Sequence, residues 1–217
     1  MWAKNTNAIT AARLDVEVAM RHLRRADPRL RPLIERHGLP RLQRTRNSFQ
    51  SLARSIIYQQ LSGKAAATIY RRFLELFPTH RFPTPAAVRS MPVARLRSAG
   101  LSGQKTTYLL ALAQKYQQGA IRPRRFNQMS AAEITEMLTQ VKGIGPWTVD
   151  MFLIFALNRP DVLPVGDLGV RKGMQRMCAL AALPDAETMR RVAAPWRPFR
   201  SAASWYLWRM LDEQPGP

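Results

Sequence analysis

Leu138-Thr139-Gln140-Val141-Lys142-Gly143-Ile144-Gly145-Pro146-Trp147-Thr148 is followed, after one apolar helical segment, by Leu163-Pro164-Val165-Gly166-Asp167-Leu168-Gly169-Val170-Arg171. Gly143 and Gly145 permit a tight turn and let the main chain approach an anion with no side chain in the way. Pro146, at the first position of the next helix, has no N–H to leave unsatisfied, and the amides around it form a partly positive entrance that favours an anion such as a phosphate. The stretch therefore predicts two helices joined by a short hairpin that binds backbone rather than sequence. A tight turn between two core helices would carry the same residues.

Asp167 follows a Pro-x-Gly bend and precedes an apolar helical run, which makes it an N-cap that accepts amide hydrogen bonds. The entrance of a helix favours negative charge, so one carboxylate can cap the helix and oppose positive charge developing beside it. Asp150 is the rival acid. It shares a helix face with Trp147 and Ile154, but within the first turns it serves the helix dipole or a salt bridge.

Outward from this stretch, the chain has 217 residues, 46% of them hydrophobic, enough for one large domain or two small packed ones. A single cysteine, Cys178, excludes an internal disulfide, a four-cysteine zinc site and a cysteine-ligated iron–sulfur cluster, and suits a reducing cytoplasm. No apolar run is long enough to span a membrane and no signal-peptide pattern opens the chain, so a soluble cytoplasmic protein is expected, nucleoid-associated if prokaryotic. His22, His37 and His80 are scattered without metal-ligand spacing.

The charge is +20, from 34 basic and 14 acidic residues, and arginine dominates the basic set. Its planar fork suits phosphate oxygens. Between Arg36 and Ala132 stand 17 basic residues and one carboxylate, Glu75. Solubility alone does not require so long an exclusion of acids, so much of the middle is expected to face a polyanion.

Apolar spacing at three and four residues recurs throughout with no period-two run, which predicts an all-α protein. Helices are expected near 9–25, 29–37, 47–60, 63–77, 84–90, 92–99, 103–118, 130–140, 146–157, 168–180 and 185–213, the last broken near Pro195 and Pro198. Leu96 to Lys105 has a helix-turn-helix look, either an ordinary helical connection or a second backbone contact to nucleic acid.

With hairpin and aspartate in this order and separation, the chain resembles the helix-hairpin-helix DNA glycosylases, and within them the alkylpurine (3-methyladenine) type in a compact form. The likeness covers most of residues 46–213. Leu52 to Ala66, with Tyr58-Gln59-Gln60-Leu61-Ser62-Gly63-Lys64 at its centre, looks like the family's minor-groove segment, and Trp196-Arg197-Pro198-Phe199-Arg200-Ser201 through Trp205-Tyr206-Leu207-Trp208 looks like its C-terminal signature.

The resemblance implies two helical subdomains with the active-site cleft between them: residues 46–155 as a helical barrel carrying the hairpin (about 138–150), and 1–45 plus 156–217 as a second lobe carrying the catalytic Asp167. It implies DNA contacts from Gln59, Gln60, Leu61, Ser62, Lys64, Lys142, Gly143, Gly145 and Thr148, with Gln60 or Leu61 filling the gap left by a flipped nucleotide. Trp147, Met151, Leu168 and Trp208 are the implied pocket residues, because a cationic alkylated purine is held by aromatic faces. Either tryptophan could instead be core. Met151 and Leu168 stand where some relatives carry aromatics, which loosens the expectation on substrate range. Bifunctional members carry a Schiff-base lysine where this chain has Trp147, so the implied enzyme hydrolyses the N-glycosidic bond and does not nick the strand.

No cofactor is required by this reading. A structural monovalent cation is implied at the backbone carbonyls of Thr139, Val141 and Ile144. The expected partner is double-stranded DNA containing alkylated bases, with no membrane, and the expected state is a monomer. The alternatives are a non-catalytic helix-hairpin-helix DNA binder and a glycosylase for a different damaged or mismatched base.

Overall fold

Short polar residues start most of the helices. Asp15, Asn47, Ser62, Thr84, Ser102, Asp167 and Asp185 each accept a hydrogen bond from an amide two or three residues on, satisfying donors that the first helical turn leaves over. The computed structural model describes residues 14–40, 42, 45, 47–78 and 82–212, and every regular element among them is helical.

The elements are α1 (Val16–Ala26), a 3₁₀ turn (Pro28–Leu30), α2 (Arg31–His37), α3 (Ser48–Tyr58), α4 (Gly63–Glu75), α5 (Pro85–Ser90), α6 (Val93–Ser98), α7 (Gly103–Gln117), a 3₁₀ turn (Pro123–Gln128), α8 (Ala131–Thr139), α9 (Pro146–Met151) running into a π turn (Phe152–Ala156), α10 (Leu168–Met177), α11 (Ala186–Val192), a 3₁₀ turn (Ala194–Trp196) and α12 (Arg200–Asp212). The expected start of the first helix at 9–13, His80 and the boundary residue 46 lie outside the described residues.

Two departures from the expected pattern have local causes. The segment expected as one helix over 146–157 widens after Met151. The π turn keeps Phe152, Leu153, Ile154 and Ala156 buried while turning Phe155 outward to 40% exposure. The 168–180 helix ends at Met177, and Ala179 follows with φ +50°. As expected, the 185–213 segment breaks around Pro195 and Pro198, into three pieces, since neither proline can continue a helix. The 3₁₀ turn at 123–128 was not expected from the periodicity.

The chain divides into two compact units. The hairpin unit, Thr45–Asn127 with Ala132–Phe152, is built on α7, against which α3 and α5 pack, with α4 beside α3. Its interior holds Leu52, Ile56, Phe73, Leu109, Leu112 and Ile134, each fully buried.

The aspartate unit comprises the described residues of Met1–Arg44, Gln128–Ala131 and Leu153–Pro217. It centres on α12, which packs along α10 and against α1 and α2. Trp196 and Tyr206 are its largest buried side chains. Among the described residues no helix is long and apolar enough to cross a membrane.

Candidate active site

The hairpin between α8 and α9 is held by its neighbours as much as by its own turn. Gly143 sits at φ +91°, and a Cβ there would lie 2.1 Å from the Tyr108 ring, so both backbone conformation and space require glycine. Gly145 differs. A Cβ there would meet nothing within 4 Å, so nothing inside the protein demands its small size. The Ile144 amide bonds the Val141 carbonyl at 3.0 Å, and helical bonding in α9 begins with Val149 to Gly145 at 3.1 Å. Trp147 and Thr148 thus occupy the first turn. Thr148, an expected DNA contact, is 3% exposed and therefore buried.

The turn between α3 and α4 is tied to this hairpin. Gln59 Nε2 donates to the Gly143 carbonyl at 2.9 Å, and Lys105 Nζ donates to the Ile57 carbonyl at 2.7 Å. Gln60 is exposed with φ +55°, a conformation costly for a non-glycine residue and often found at ligand clamps. Leu61 beside it is 39% exposed rather than core. Ser62 caps α4, and Lys64 is exposed in its first turn. A depression of about 450 Å³ brings together Gln59, Gln60, Thr139, Val141, Lys142, Gly143, Ile144 and Gly145 from the expected set, with Ser102, Gln104, Lys105 and Tyr108 from the start of α7. Trp147 is 47% exposed and Met151 half-buried.

In the aspartate unit, Asp167 caps α10 and is 8% exposed. Its Oδ1 accepts from the Val170 amide at 2.8 Å and from Trp208 Nε1 at 2.8 Å. Trp208 lies against Phe155, with ring centroids 5.5 Å apart and a 30° tilt. Leu168, adjacent to the carboxylate, is 52% exposed. An aromatic wall and a carboxylate oriented by two donors therefore stand together.

Two glycines of α10 set that geometry. A Cβ on Gly169 would lie 2.9 Å from Trp208 Cδ1 and 3.1 Å from Asp167 Oδ1, and one on Gly173 would lie 2.8 Å from both the Cβ and the carbonyl oxygen of Leu207. The loop that delivers Asp167 is pinned to the start of α12. Ser201 Oγ donates to the Arg159 carbonyl at 2.6 Å and accepts from the Val162 amide at 3.0 Å. Asp161 accepts from Arg200 Nε and Nη2 at 2.5 and 3.0 Å.

Phe155, Gly169 and Tyr108 were missed by sequence reasoning, whereas Lys105 ends the Leu96–Lys105 segment with the helix-turn-helix look. Phe155 sits in an apolar run where periodicity cannot separate a core ring from an exposed one. A glycine four residues before another on one helix was the available signal for Gly169 and Gly173. The remaining candidates are structural in place: His22 Nε2 is 3.0 Å from the Pro195 carbonyl, His37 meets Trp205 edge-on, and Cys178 Sγ accepts from Arg29 at 3.1 Å. Asp150 is half-buried on α9, in the other unit from Asp167.

Residues 53–198 match the model of the HhH-GPD superfamily of base excision DNA repair proteins, two-thirds of the chain, and the protein belongs to that superfamily. Within it, the chain is similar to DNA-3-methyladenine glycosylase 1 of Schizosaccharomyces pombe, 37% identical over 182 residues that span 83% of this chain and 80% of that one. A solved 3-methyladenine DNA glycosylase of the same yeast, in complex with abasic DNA, superposes with a TM-score of 0.80 at 35% identity, over 90% of this chain and 97% of that one. A DNA-3-methyladenine glycosidase of Bacillus halodurans does so with a TM-score of 0.81 at 32% identity, over 93% and 94%.

Proposed function

We propose that this protein is a monofunctional DNA glycosylase that flips alkylated purines of the 3-methyladenine and 7-methylguanine type out of double-stranded DNA and hydrolyses their N-glycosidic bond in base excision repair. The observation that carries the reading is Asp167, a nearly buried carboxylate oriented by an indole and an amide beside an aromatic wall. A pure DNA binder has no use for a carboxylate so placed.

The residues divide the work. The hairpin at Lys142, Gly143 and Gly145 holds a phosphate, and the open space around Gly145 suits close approach of a backbone. Gln60 and Leu61, exposed at their turn, fill the gap left by the extruded nucleotide, whose unstacking costs a few kcal/mol and least at a damaged pair. In the aspartate unit Trp208 and Phe155 offer rings to a cationic purine beside Leu168, and in the hairpin unit Trp147 and Met151 are the candidate apolar contacts. Alkylation on a ring nitrogen already makes the base a good leaving group. Asp167 stabilises the positive charge that builds on the sugar and orients the attacking water. The indole at Trp147 offers no amine to form a Schiff base, so the product is an abasic site and an intact strand.

A structural cation at the hairpin is part of this proposal. The carbonyls of Thr139, Val141 and Ile144 belong to residues lining one depression, and neutral carbonyl oxygens suit an alkali cation. When bound it would add positive charge next to the phosphate. Among the described residues no group of three or more His, Cys, Asp or Glu could hold a metal.

The deciding experiment measures free 3-methyladenine and 7-methylguanine released from methylated duplex DNA by the wild-type protein and by Asp167→Asn. Release by the wild type, reduced about a hundredfold or more in a variant that still binds DNA, is the expected result. No release of either base sinks the alkylpurine reading and turns the search to other lesions.

A further inference from the structure

The hairpin supplies only part of the depression on the hairpin unit. The rest of its lining comes from Gln59 and Gln60 in the turn after α3 and from the start of α7, and the chemistry at α7 is of one kind. Lys105 joins Lys142 as a second cation, Ser102, Gln104 and Tyr108 carry hydroxyl or amide groups, and no lining residue is Asp or Glu.

Counting donors shows what remains available. Lys105 gives one N–H to the Ile57 carbonyl at 2.7 Å, and an ammonium has three. The Tyr108 hydroxyl accepts from Gln104 Nε2 at 2.5 Å, so its own hydrogen points elsewhere. Burial pushes the Lys105 ammonium below the usual lysine range, and an anion replacing the lost water favours the charged form. A stacked base is a poor fit, because the Tyr108 ring is already covered by Gly143. The ligand that matches is a small, negatively charged group rich in acceptors, in a depression shared with the phosphate-binding hairpin.

We infer that Lys105 and the Tyr108 hydroxyl hold a second phosphodiester, next along the strand to the one held at the hairpin. This inference rests on the reading of the protein as a DNA enzyme. It makes the α7 start a second backbone clamp, so that two phosphates of one strand, and not one, set the register of the duplex on the protein.

The test uses the whole protein and a short duplex carrying a non-cleavable abasic analogue, with affinity measured across a NaCl series. A phosphate contact contributes about 0.9 to the slope of log K against log salt. Lys105→Gln should flatten the slope by about that amount, and Lys105→Arg should retain it. Tyr108→Phe, whose ring still covers Gly143, should weaken binding about tenfold or more, as expected for a lost hydrogen bond to a charged group. Replacing single phosphates by neutral methylphosphonates then locates the contact: at one position beside the hairpin's phosphate, the wild type loses affinity and Lys105→Gln loses no more.

An unchanged slope in a folded Lys105→Gln protein overturns the inference and leaves Lys105 as a cap on α3. So does full additivity of Lys105→Gln with every methylphosphonate. If Lys105→Gln does not fold, wild-type affinity in Tyr108→Phe together with a single sensitive phosphate overturns it equally. Failure of the underlying reading looks different: the wild type releases no base while the binding pattern still decides the subsite, and a wild type with no DNA affinity removes both.

Discussion

Trp208 Nε1 donates to Asp167 Oδ1 at 2.8 Å, so one indole both orients the carboxylate and, with Phe155, forms the aromatic wall next to it. Trp208→Phe keeps a ring and removes the donor. A hydrogen bond to a charged group contributes about 1.5–3 kcal/mol, so single-turnover excision should fall by about ten- to a hundredfold while affinity for abasic-analogue DNA is retained. A wild-type rate in this variant would show that the indole donor is not needed to orient Asp167.

Gly169 and Gly173 should respond to alanine in different ways. At Gly169 the added methyl meets the partly exposed Trp208 ring and the Asp167 carboxylate, and the indole can swing outward. Gly169→Ala should therefore lose activity with little change in melting temperature. At Gly173 the methyl meets the buried Leu207 backbone, so α10 and α12 must separate. Overpacking of that kind costs about 1–3 kcal/mol, which in a protein of this size lowers Tm by roughly 2–12 °C. Thermal melts and excision rates on both variants check the contrast, and equal losses of stability would refute it.

Gln59 links the turn between α3 and α4 to the hairpin between α8 and α9 through the Gly143 carbonyl. Gln59→Met keeps the length of the side chain and removes the donor. Excision of a lesion in a fully paired duplex should fall about tenfold, with a much smaller loss on a single-stranded substrate that needs no wedge. Equal losses on both substrates would mean that Gln59 supports the fold without aligning the two elements.

Asp27, 3% exposed, anchors the aspartate unit through contacts other than those of Asp167. It accepts from Trp196 Nε1 at 2.8 Å and from Arg29 Nε and Nη2, both at 2.8 Å. Burial alone would raise its carboxyl, but the hydrogen bonds from Arg29 and Trp196 outweigh it and hold it below the usual aspartate range. The lowered value means that the folded protein releases this proton more readily than the unfolded chain. Its contribution to stability is present above about pH 4 and is lost as pH falls through the lower folded value. Tm measured from pH 6 down to pH 2.5 should drop less steeply in Asp27→Asn than in wild type, from a lower starting value.

The helices and the two central motifs were legible because their causes are local. A short polar cap, a proline at N1 and a three-and-four apolar spacing act within a turn or two, so α3, α4, α5 and α7 lie close to their expected ranges. The hairpin and the Asp167 cap belong to the same class of signal. The tryptophans were not legible. Trp196 is fully buried, Trp205 is 8% exposed and Trp147 is 47% exposed, yet each sits in a similar run of apolar and basic residues.

By itself the sequence determined an all-helical chain, the order of hairpin and aspartate, the basic middle and the family these define. Each follows from covalent neighbours, whose spacing and chemistry are explicit in the chain. Only the tertiary structure decided which ring faces out, why Gly143 must be glycine when Gly145 need not be for any internal reason, and which side chains join Gln59 to Gly143 and Trp208 to Asp167. Those partners stand 84 and 41 residues apart. A contact across that distance is set by how whole helices pack, and packing depends on volumes and directions that no local pattern encodes.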